Sequence, residues 1–128
     1  MIKYAEFCTG VGGFRLGIED SGIKSESVYA NEININCEKT YRTNFGTGFD
    51  SKDIFAIDPY TIPDFDLLCA GFPCQPFSAA GKELGFNDAR GTVFLAYYQL
   101  SKLKNRLLCF SKMSPTWFVM IKGKPIKQ

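Results

Sequence analysis

Apolar and polar positions in the first 45 residues follow a pattern that predicts a strand and a helix, twice in succession. The apolar run from Ile2 to Phe7 predicts a short buried strand, and Phe14 to Asp20 predicts a helix that ends at Gly22. Ser27 to Ala30 predicts a second strand, and a helical pattern runs from about Asn34 to Asn44. Two strand–helix units therefore open the chain.

The remainder of the chain is less regular. Gly46 to Pro63 is rich in Gly, Asp and Pro, with a weak strand pattern at Asp53 to Ala56. Asp66 to Ala70 predicts the clearest strand, Gly71 to Asn87 a long loop, and Thr92 to Lys104 a helix. Alternating strands and helices join through right-handed crossovers, so the predicted class is α/β, with helices on both faces of a parallel sheet. Ligands of such sheets bind beyond the carboxyl ends of the strands.

The composition of the chain argues against several classes of function. A net charge of +2 is compatible with a nucleic-acid partner without requiring one. Five cysteines without a C-x-x-C pair, and no histidine, argue against a metal site and exclude a Cys–His catalytic pair. The same thiols suit the reducing cytoplasm. We see no signal peptide and no apolar run of membrane-spanning length, so no membrane association is expected.

The first candidate for chemistry is the glycine-rich turn Thr9-Gly10-Val11-Gly12-Gly13, which follows the first strand. Its glycines would let backbone approach a ligand in front of a helix N-terminus, although they would equally allow tight packing of the turn. Glu32 ends the second strand about 20 positions later, where a carboxylate suits a ribose diol. A solvated carboxylate at the start of a helix is the alternative.

The second candidate is Cys74, in Gly71-Phe72-Pro73-Cys74-Gln75-Pro76-Phe77-Ser78. Pro73 and Pro76 exclude this segment from a central strand and fix the backbone around the thiol. An ordered loop that presents Cys74 as a nucleophile is therefore predicted. The other cysteines are expected to be packing thiols: Cys8, Cys37, Cys69 and Cys109.

Taken together, these segments resemble the N-terminal part of a DNA (cytosine-5)-methyltransferase across residues 4 to about 104. The matching stretches, in the family's order and spacing, are Phe7 to Gly17, Ala30-Asn31-Glu32, Asp53-Ile54, Gly71 to Ser78, and Asp88 to Phe94. The Pro-Cys-Gln block with its Phe-Ser end is the most specific of them. The resemblance implies a Rossmann-like, S-adenosylmethionine-dependent methyltransferase fold, here partial and without the C-terminal strands.

The resemblance also implies roles for individual residues. At the cofactor it assigns Phe7, Gly10, Gly12 and Gly13 to the methionine end, Glu32 to the ribose hydroxyls, and Asp53 with Ile54 to the adenine. Cys74 would add to C6 of a cytosine flipped out of double-stranded DNA. C5 would then take the methyl group, and a base would remove the C5 proton. Gln75 and Ser78 would lie near the DNA backbone, in a loop long enough to act as a lid.

Family members continue with features that these 128 residues lack. They include a Glu-Asn-Val segment whose Glu protonates N3 of cytosine, an Arg-x-Arg segment, a target-recognition domain and a last helix that completes the cofactor pocket. We therefore divide the chain into residues 1–104, the N-terminal half of a catalytic domain, and residues 105–128, an aberrant tail. Little or no activity is expected of this chain alone.

A shifted reading frame would explain the tail. Codons compatible with Phe110 to Ile121, when they are read from each third base, permit Phe-Glu-Asn-Val-Thr-Asn-Leu-Val-Cys-His-Asp. That text leads into Lys122-Gly123-Lys124 and is very similar to the family at this place. The hypothesis is that residues from about 105 to 121 are out of frame.

Two alternatives stay open at this point. The chain could be one subunit of a split methyltransferase, with a complementary chain supplying the glutamate and the recognition domain. It could instead be a non-catalytic module that binds the cofactor or DNA, with Cys74 a relic. A free-standing thiol hydrolase or redox enzyme is disfavoured, because no histidine or nearby second cysteine supports it.

Overall fold

The computed structural model describes residues 1–46, 48–71 and 96, together with the backbone of 107–110, 118–121 and 124–127. The predicted loop from Gly71 to Asn87 lies outside the described residues except for Gly71 itself. The predicted helix from Thr92 to Lys104 lies outside them except for residue 96, which is helical.

The described strands form one sheet flanked by two helices. In chain order the elements are β1 (Ile2–Phe7), α1 (Gly13–Asp20), β2 (Ser25–Asn31), α2 (Ile35–Phe45), β3 (Phe49–Asp50), β4 (Leu67–Ala70), β5 (Leu107–Phe110), β6 (Phe118–Ile121) and β7 (Lys124–Lys127). The sheet order is β3-β2-β1-β4-β5-β6-β7. The pairs from β3 to β5 are parallel, and β6 and β7 add antiparallel pairs. The predicted α/β class with a parallel sheet is confirmed.

The predicted boundaries of the first four elements agree closely with the structure. Both helices end where the backbone turns to positive φ at a glycine, Gly22 after α1 and Gly46 after α2. The N-terminus of α2 is capped by Asn34, whose Oδ1 accepts a hydrogen bond from the Asn36 amide at 3.0 Å. These are local signals, and this explains why the sequence alone revealed them.

The strand predicted at Asp53 to Ala56 is wrong. Ile54–Ala56 form a 3₁₀ turn, and the strand at this edge is the short β3. The reason is local, because the Asp53 carboxylate accepts a hydrogen bond from the Phe55 amide at 3.0 Å and so caps the turn. Aspartate offers the backbone this alternative to a strand ladder.

Side chains alternate across β1, so its two faces pack against different surroundings. Ala5 and Phe7 belong to an apolar cluster whose other buried members are Ile57, Ile62, Phe65, Leu68 and Ala70. Tyr4 and Glu6 are also buried, and Glu6 bonds to Tyr41 of α2. One face of the sheet is therefore apolar, and the face towards α2 contains a buried carboxyl group.

Three strands lie beyond residue 104, where the sequence pattern gave no clear prediction. β5 continues the parallel sheet beside β4, with Leu67 opposite Leu107 and Ala70 opposite Phe110. Cys109 lies in β5, opposite Cys69. The carboxyl end of β5 therefore reaches the same edge of the sheet as the ends of β1, β2 and β4.

Candidate functional site

The candidate site is built from the segments that follow the parallel strands at their carboxyl ends. The glycine turn follows β1, Glu32 follows β2, and Gly71 follows β4. The turn is tied to its neighbours on both sides. Thr9 N donates to Asn31 O at 3.2 Å, and Gly71 N donates to Phe7 O at 3.1 Å. This edge is where ligands of parallel α/β sheets bind.

Glu32 joins two of these segments directly. Its Oε2 accepts a hydrogen bond from the Gly10 amide at 3.0 Å, and its Oε1 accepts one from the Asn34 amide at 2.9 Å. The side chain is half-buried, so part of it still faces solvent. One of its two bonds lies at the start of α2, as in the alternative of a carboxylate at the start of a helix, and the other reaches the glycine turn. Glu32 is fixed against the glycine turn, with lone pairs left over for further donors.

The structure requires glycine at some positions of the turn and not at others. Gly12 has φ +98°, and a Cβ there would collide with the ring of Phe45 at the end of α2. Gly10 has φ +55°, and Gly13 has an ordinary helical backbone. Among the described residues, and apart from its chain neighbours and its own helix, an added Cβ at either would meet no atom within 4 Å. Gly12 is thus required by the fold. Gly13 is not, and the open space beside it suits a ligand.

Cys8 shares the unusual backbone of the turn, since it has φ +47° and is the non-glycine residue with positive φ among those described. Its carbonyl lies close to the end of β4, where a Cβ added at Gly71 would approach Cys8 O to 2.9 Å. Cys8 and Cys37 are half-buried and Cys69 is buried. Gly71, the last described residue before Cys74, therefore lies in close contact with the residues that lead into the glycine turn.

Asp50 and Asn31 hold the next part of the site, and the sequence analysis assigned neither of them a role. Asn31 Nδ2 donates to Asp50 O at 2.9 Å and to Lys52 O at 2.8 Å. The Asp50 carboxylate accepts from Tyr29 OH at 2.8 Å and from Lys52 N at 3.0 Å. Burial acts to raise the pKa of Asp50, but these hydrogen bonds outweigh it and hold the pKa below its ordinary value. The sequence signal that could have identified these two residues is that each is a polar residue at the end of a strand, Asn31 in β2 and Asp50 in β3.

Asp53 and Ile54 follow this pair. Asp53 is exposed, with Oδ1 occupied by the Phe55 amide. Ile54 is half-buried and packs against the apolar cluster. Both lie just beyond the end of β3, on the Glu32 side of the sheet edge, as the assignment to one ligand requires.

Phe7 differs from the other residues assigned to the cofactor. It is fully buried, belongs to the apolar cluster, and its ring centroid lies 5.4 Å from that of Tyr29. Its carbonyl accepts the Gly71 amide at the strand ends. The side chain therefore supports the sheet beneath the site, and a contact between Phe7 and a ligand stays a prediction.

Behind the turn, on the helix-covered face, lies a buried polar cluster made of Glu6, Ser27, Tyr41 and Arg15. Glu6 Oε1 accepts from Tyr41 OH at 2.8 Å and from Ser27 Oγ at 2.9 Å, while its Oε2 has no hydrogen-bond partner among the described residues. Burial raises the pKa of Glu6 above its ordinary 4.5, and the bonds from Tyr41 and Ser27 oppose the rise only in part. Arg15 Nη1 completes the cluster by donating to Tyr41 OH at 3.3 Å.

The remaining predicted residues, Cys74, Gln75 and Ser78, lie outside the described residues. Within the described part of the chain, no helix is long and apolar enough to cross a membrane. In that same part, no cluster of three or more His, Cys, Asp or Glu residues is placed to hold a metal ion.

Comparisons with known proteins agree with this geometry. A family model described as C-5 cytosine-specific DNA methylase matches residues 2–120. The chain is 41% identical over 109 residues to the type II methyltransferase M.HhaI of Haemophilus parahaemolyticus, which covers 85% of this chain and 32% of that protein. It is 46% identical over 104 residues to M.NgoBI of Neisseria gonorrhoeae, covering 81% and 32% respectively.

Solved structures show the same similarity. A DNMT2 variant of Spodoptera frugiperda matches with a TM-score of 0.66 at 31% identity, covering 88% of this chain and 36% of that one. The Entamoeba histolytica methyltransferase EhMeth matches with a TM-score of 0.72 at 23% identity, covering 86% and 37%, and so supports the fold.

Proposed function

The chain belongs to the C-5 cytosine-specific DNA methylase family, and on that premise we propose that it carries the cofactor turn and the nucleophile of a DNA cytosine-5 methyltransferase. It spans about a third of the length of the curated relatives it matches. Activity, substrate and partners are therefore part of the proposal. A cytoplasmic location, inferred from the cysteines, belongs to it as well.

The observation that carries the proposal is the contact between Glu32 and the glycine turn at the carboxyl edge of the sheet. S-adenosylmethionine combines a ribose diol, which suits a fixed carboxylate, with a sulfonium-bound methyl group, which is the chemistry it would supply. Glu32 would accept from the ribose hydroxyls. The open positions beside Gly10 and Gly13 would admit the methionine end. Asp53 and Ile54 would meet the adenine.

The chain's own part in the reaction would fall to Cys74. Its thiolate would add to C6 of a flipped-out cytosine, and the electrons pushed onto the ring would make C5 nucleophilic. After methylation at C5, loss of the C5 proton would expel the thiolate and restore the ring. Gln75 and Ser78 would contact the DNA backbone. Support comes from the family membership and from the origin of the Cys74 segment beside the glycine turn.

The sequence of this chain contains no Glu-Asn-Val segment, whose glutamate would protonate N3 of cytosine. β5 pairs with β4 through Phe110, the residue at which the shifted reading begins. The residue after Phe110 is Ser111 in this chain and Glu in the shifted frame. Since β5 ends at the same edge as the candidate site, a glutamate there would follow a strand that pairs with β4.

The experiment is to sequence the encoding DNA from the codon of Leu100 past that of Gln128, and to express both readings. A frame-restored protein whose reading continues past Gln128 through a recognition domain should methylate DNA and be trapped by DNA that contains 5-fluorocytosine, whereas its Cys74→Ser variant should not. The chain as written should show no turnover. If a one-base shift does not restore Glu-Asn-Val, the frame hypothesis fails. Activity should then appear only with a complementary chain, and a covalent adduct without turnover would still identify Cys74 as the nucleophile.

A further inference from the structure

One residue, Asn31, connects the glycine turn after β1, Glu32 after β2 and the segment after β3. Asn31 is the last residue of β2 and directly precedes Glu32. Its backbone carbonyl accepts the Thr9 amide of the glycine turn. Its side-chain amide donates to Asp50 O and Lys52 O. Asn31 therefore contacts both neighbouring segments of the site from a single position.

The geometry of the Asn31 side chain is fully determined. Asn31 is 2% exposed, and both Nδ2 hydrogens are used, at 2.9 Å and 2.8 Å. A planar amide with two carbonyl acceptors has one orientation that satisfies both. A buried asparagine with both hydrogens bonded is costly to replace, because each of the two carbonyls would lose a hydrogen-bond partner.

The loop that follows β3 needs such a contact. β3 is two residues long and pairs only at Ala30–Phe49 and Asn31–Asp50. Asp50 O also accepts the Glu32 amide at 3.2 Å. The pairing of β2 with β3 ends at Asp50. Beyond it, the hydrogen bond from Asn31 Nδ2 to Lys52 O links β2 to the residue that directly precedes Asp53. We call residues 51–56 the Asp53 loop.

We propose that Asn31 is a positioning residue that sets the Asp53 loop against Glu32, and so fixes the spacing at which the two would hold the adenosine half of the cofactor. The assignment rests on the proposed function for the identity of the ligand. The positioning itself rests on the hydrogen bonds of Asn31 alone. Asn31 acts through Glu32 and Asp53 and needs no contact of its own with the ligand.

The test uses amide hydrogen exchange on the full chain and its Asn31→Ala and Asn31→Asp variants. In both, the amides of Lys52, Phe55 and Ala56 should exchange about tenfold faster or more, because the loop opens without unfolding the sheet. Amides of β1 and α1 should be unchanged. Asn31→Asp places a carboxylate oxygen against two carbonyl oxygens, so its effect should be at least as large. Unchanged exchange in the Asp53 loop, or a uniform rise across the sheet, would overturn the proposal.

Two controls separate positioning from general loss of stability. Asn36→Asp introduces the same charge at an exposed position of α2 and should leave the loop amides unchanged. Ile62→Val removes a methyl group from the buried cluster and should lower stability without selective opening of the loop. If the Asn31 variants do not fold, the wild-type chain still decides. Its two Asn31 side-chain amide protons should exchange slowly, with couplings across the hydrogen bonds to the Asp50 and Lys52 carbonyls, and fast exchange would overturn the proposal.

Ligand titration distinguishes this proposal from the proposed function. S-adenosylhomocysteine, added to millimolar concentration and followed by amide shifts, should bind about tenfold more weakly to Asn31→Ala than to Ile62→Val. Equal binding by the two variants would contradict positioning. If the wild-type chain and the frame-restored protein both fail to bind, the proposed function fails, and hydrogen exchange alone decides the role of Asn31.

Discussion

Glu32 Oε2 lies 3.0 Å from the amide nitrogen of Gly10, although the two residues are 22 positions apart in the sequence. The contact forms because β1 and β2 are parallel neighbours, with Phe7 opposite Asn31 at their ends. It joins a carboxylate to a glycine-rich turn, and within the part of the chain that the structure describes Glu32 forms no ion pair. Much of what we expect of the protein's chemistry depends on this contact.

Replacement of Glu32 by glutamine should weaken both structure and binding. Both carboxylate oxygens accept from backbone amides, so the glutamine NH₂ would face either Gly10 N or Asn34 N. We expect a loss of about 1–2 kcal/mol in the free energy of unfolding, measured by urea titration, and loss of S-adenosylhomocysteine binding. Glu26→Gln, an exposed position on β2, is the control and should change neither. Unaltered ligand binding in Glu32→Gln would contradict the ribose assignment.

Gly13→Ala should separate ligand binding from stability. An added Cβ meets no atom within 4 Å, and the helical backbone accepts alanine. The free energy of unfolding should stay level or rise by up to about 1 kcal/mol, while S-adenosylhomocysteine binding should fall about tenfold if the ligand occupies that space. Gly17→Ala, in the same helix and equally open, should show the stability effect without the binding effect. The same binding by both variants would place the ligand elsewhere.

Gly12→Ala should be destabilising for reasons internal to the fold. The residue has φ +98°, and a Cβ would collide with the Phe45 ring. We expect a loss of about 2–4 kcal/mol from backbone strain and overpacking together, measured by chemical denaturation. In a Phe45→Ala background the collision is absent, so the same substitution should cost roughly half as much. An equal cost in both backgrounds would show that Phe45 is not responsible.

Glu6 should make stability depend on pH in the direction opposite to most carboxyl groups. Its pKa in the folded chain is raised above the ordinary 4.5, chiefly by burial, so the folded state holds the proton more tightly than the unfolded state. Stability should therefore fall as pH rises from about 4.5 towards the raised pKa. Glu6→Gln should flatten that part of the curve, followed by thermal unfolding at a series of pH values. Glu26→Gln should leave the slope in place, and a slope that persists in Glu6→Gln would exclude Glu6 as its source.

Asp50 should make stability fall as the pH is lowered, which is the opposite of the effect expected of Glu6. Its folded-state pKa lies below the ordinary 3.8, because hydrogen bonds from Lys52 N and Tyr29 OH outweigh burial. The stabilisation is present above pH 3.8 and is lost as pH falls through the folded-state pKa. Tyr29→Phe should lower stability at neutral pH, and its deficit should shrink in acid. A constant deficit at all pH values would show that loss of the Tyr29 hydroxyl acts independently of the charge on Asp50.

Much of the fold was contained in local signals of the sequence. The apolar run of β1, the Asn34 cap and the glycines that end α1 and α2 act within a few residues, so the elements could be located without knowledge of the tertiary structure. The strand at Asp53 to Ala56 was wrong for a local reason too, since the Asp53 side chain caps a turn that periodicity does not reveal.

The residue types of the site were also evident from the sequence, because a glycine turn, an acidic strand end and a Pro-Cys-Gln segment have few other uses in this order. Their distances were not, since hydrogen bonds such as Gly10–Glu32 and Asn31–Lys52 join segments about 20 residues apart through the parallel pairing of strands. The tertiary structure alone placed Phe7 in the core, Gly12 against Phe45, and Asn31 between the glycine turn and the Asp53 loop. Sequence determines which groups are available, and the strand register decides which of them meet.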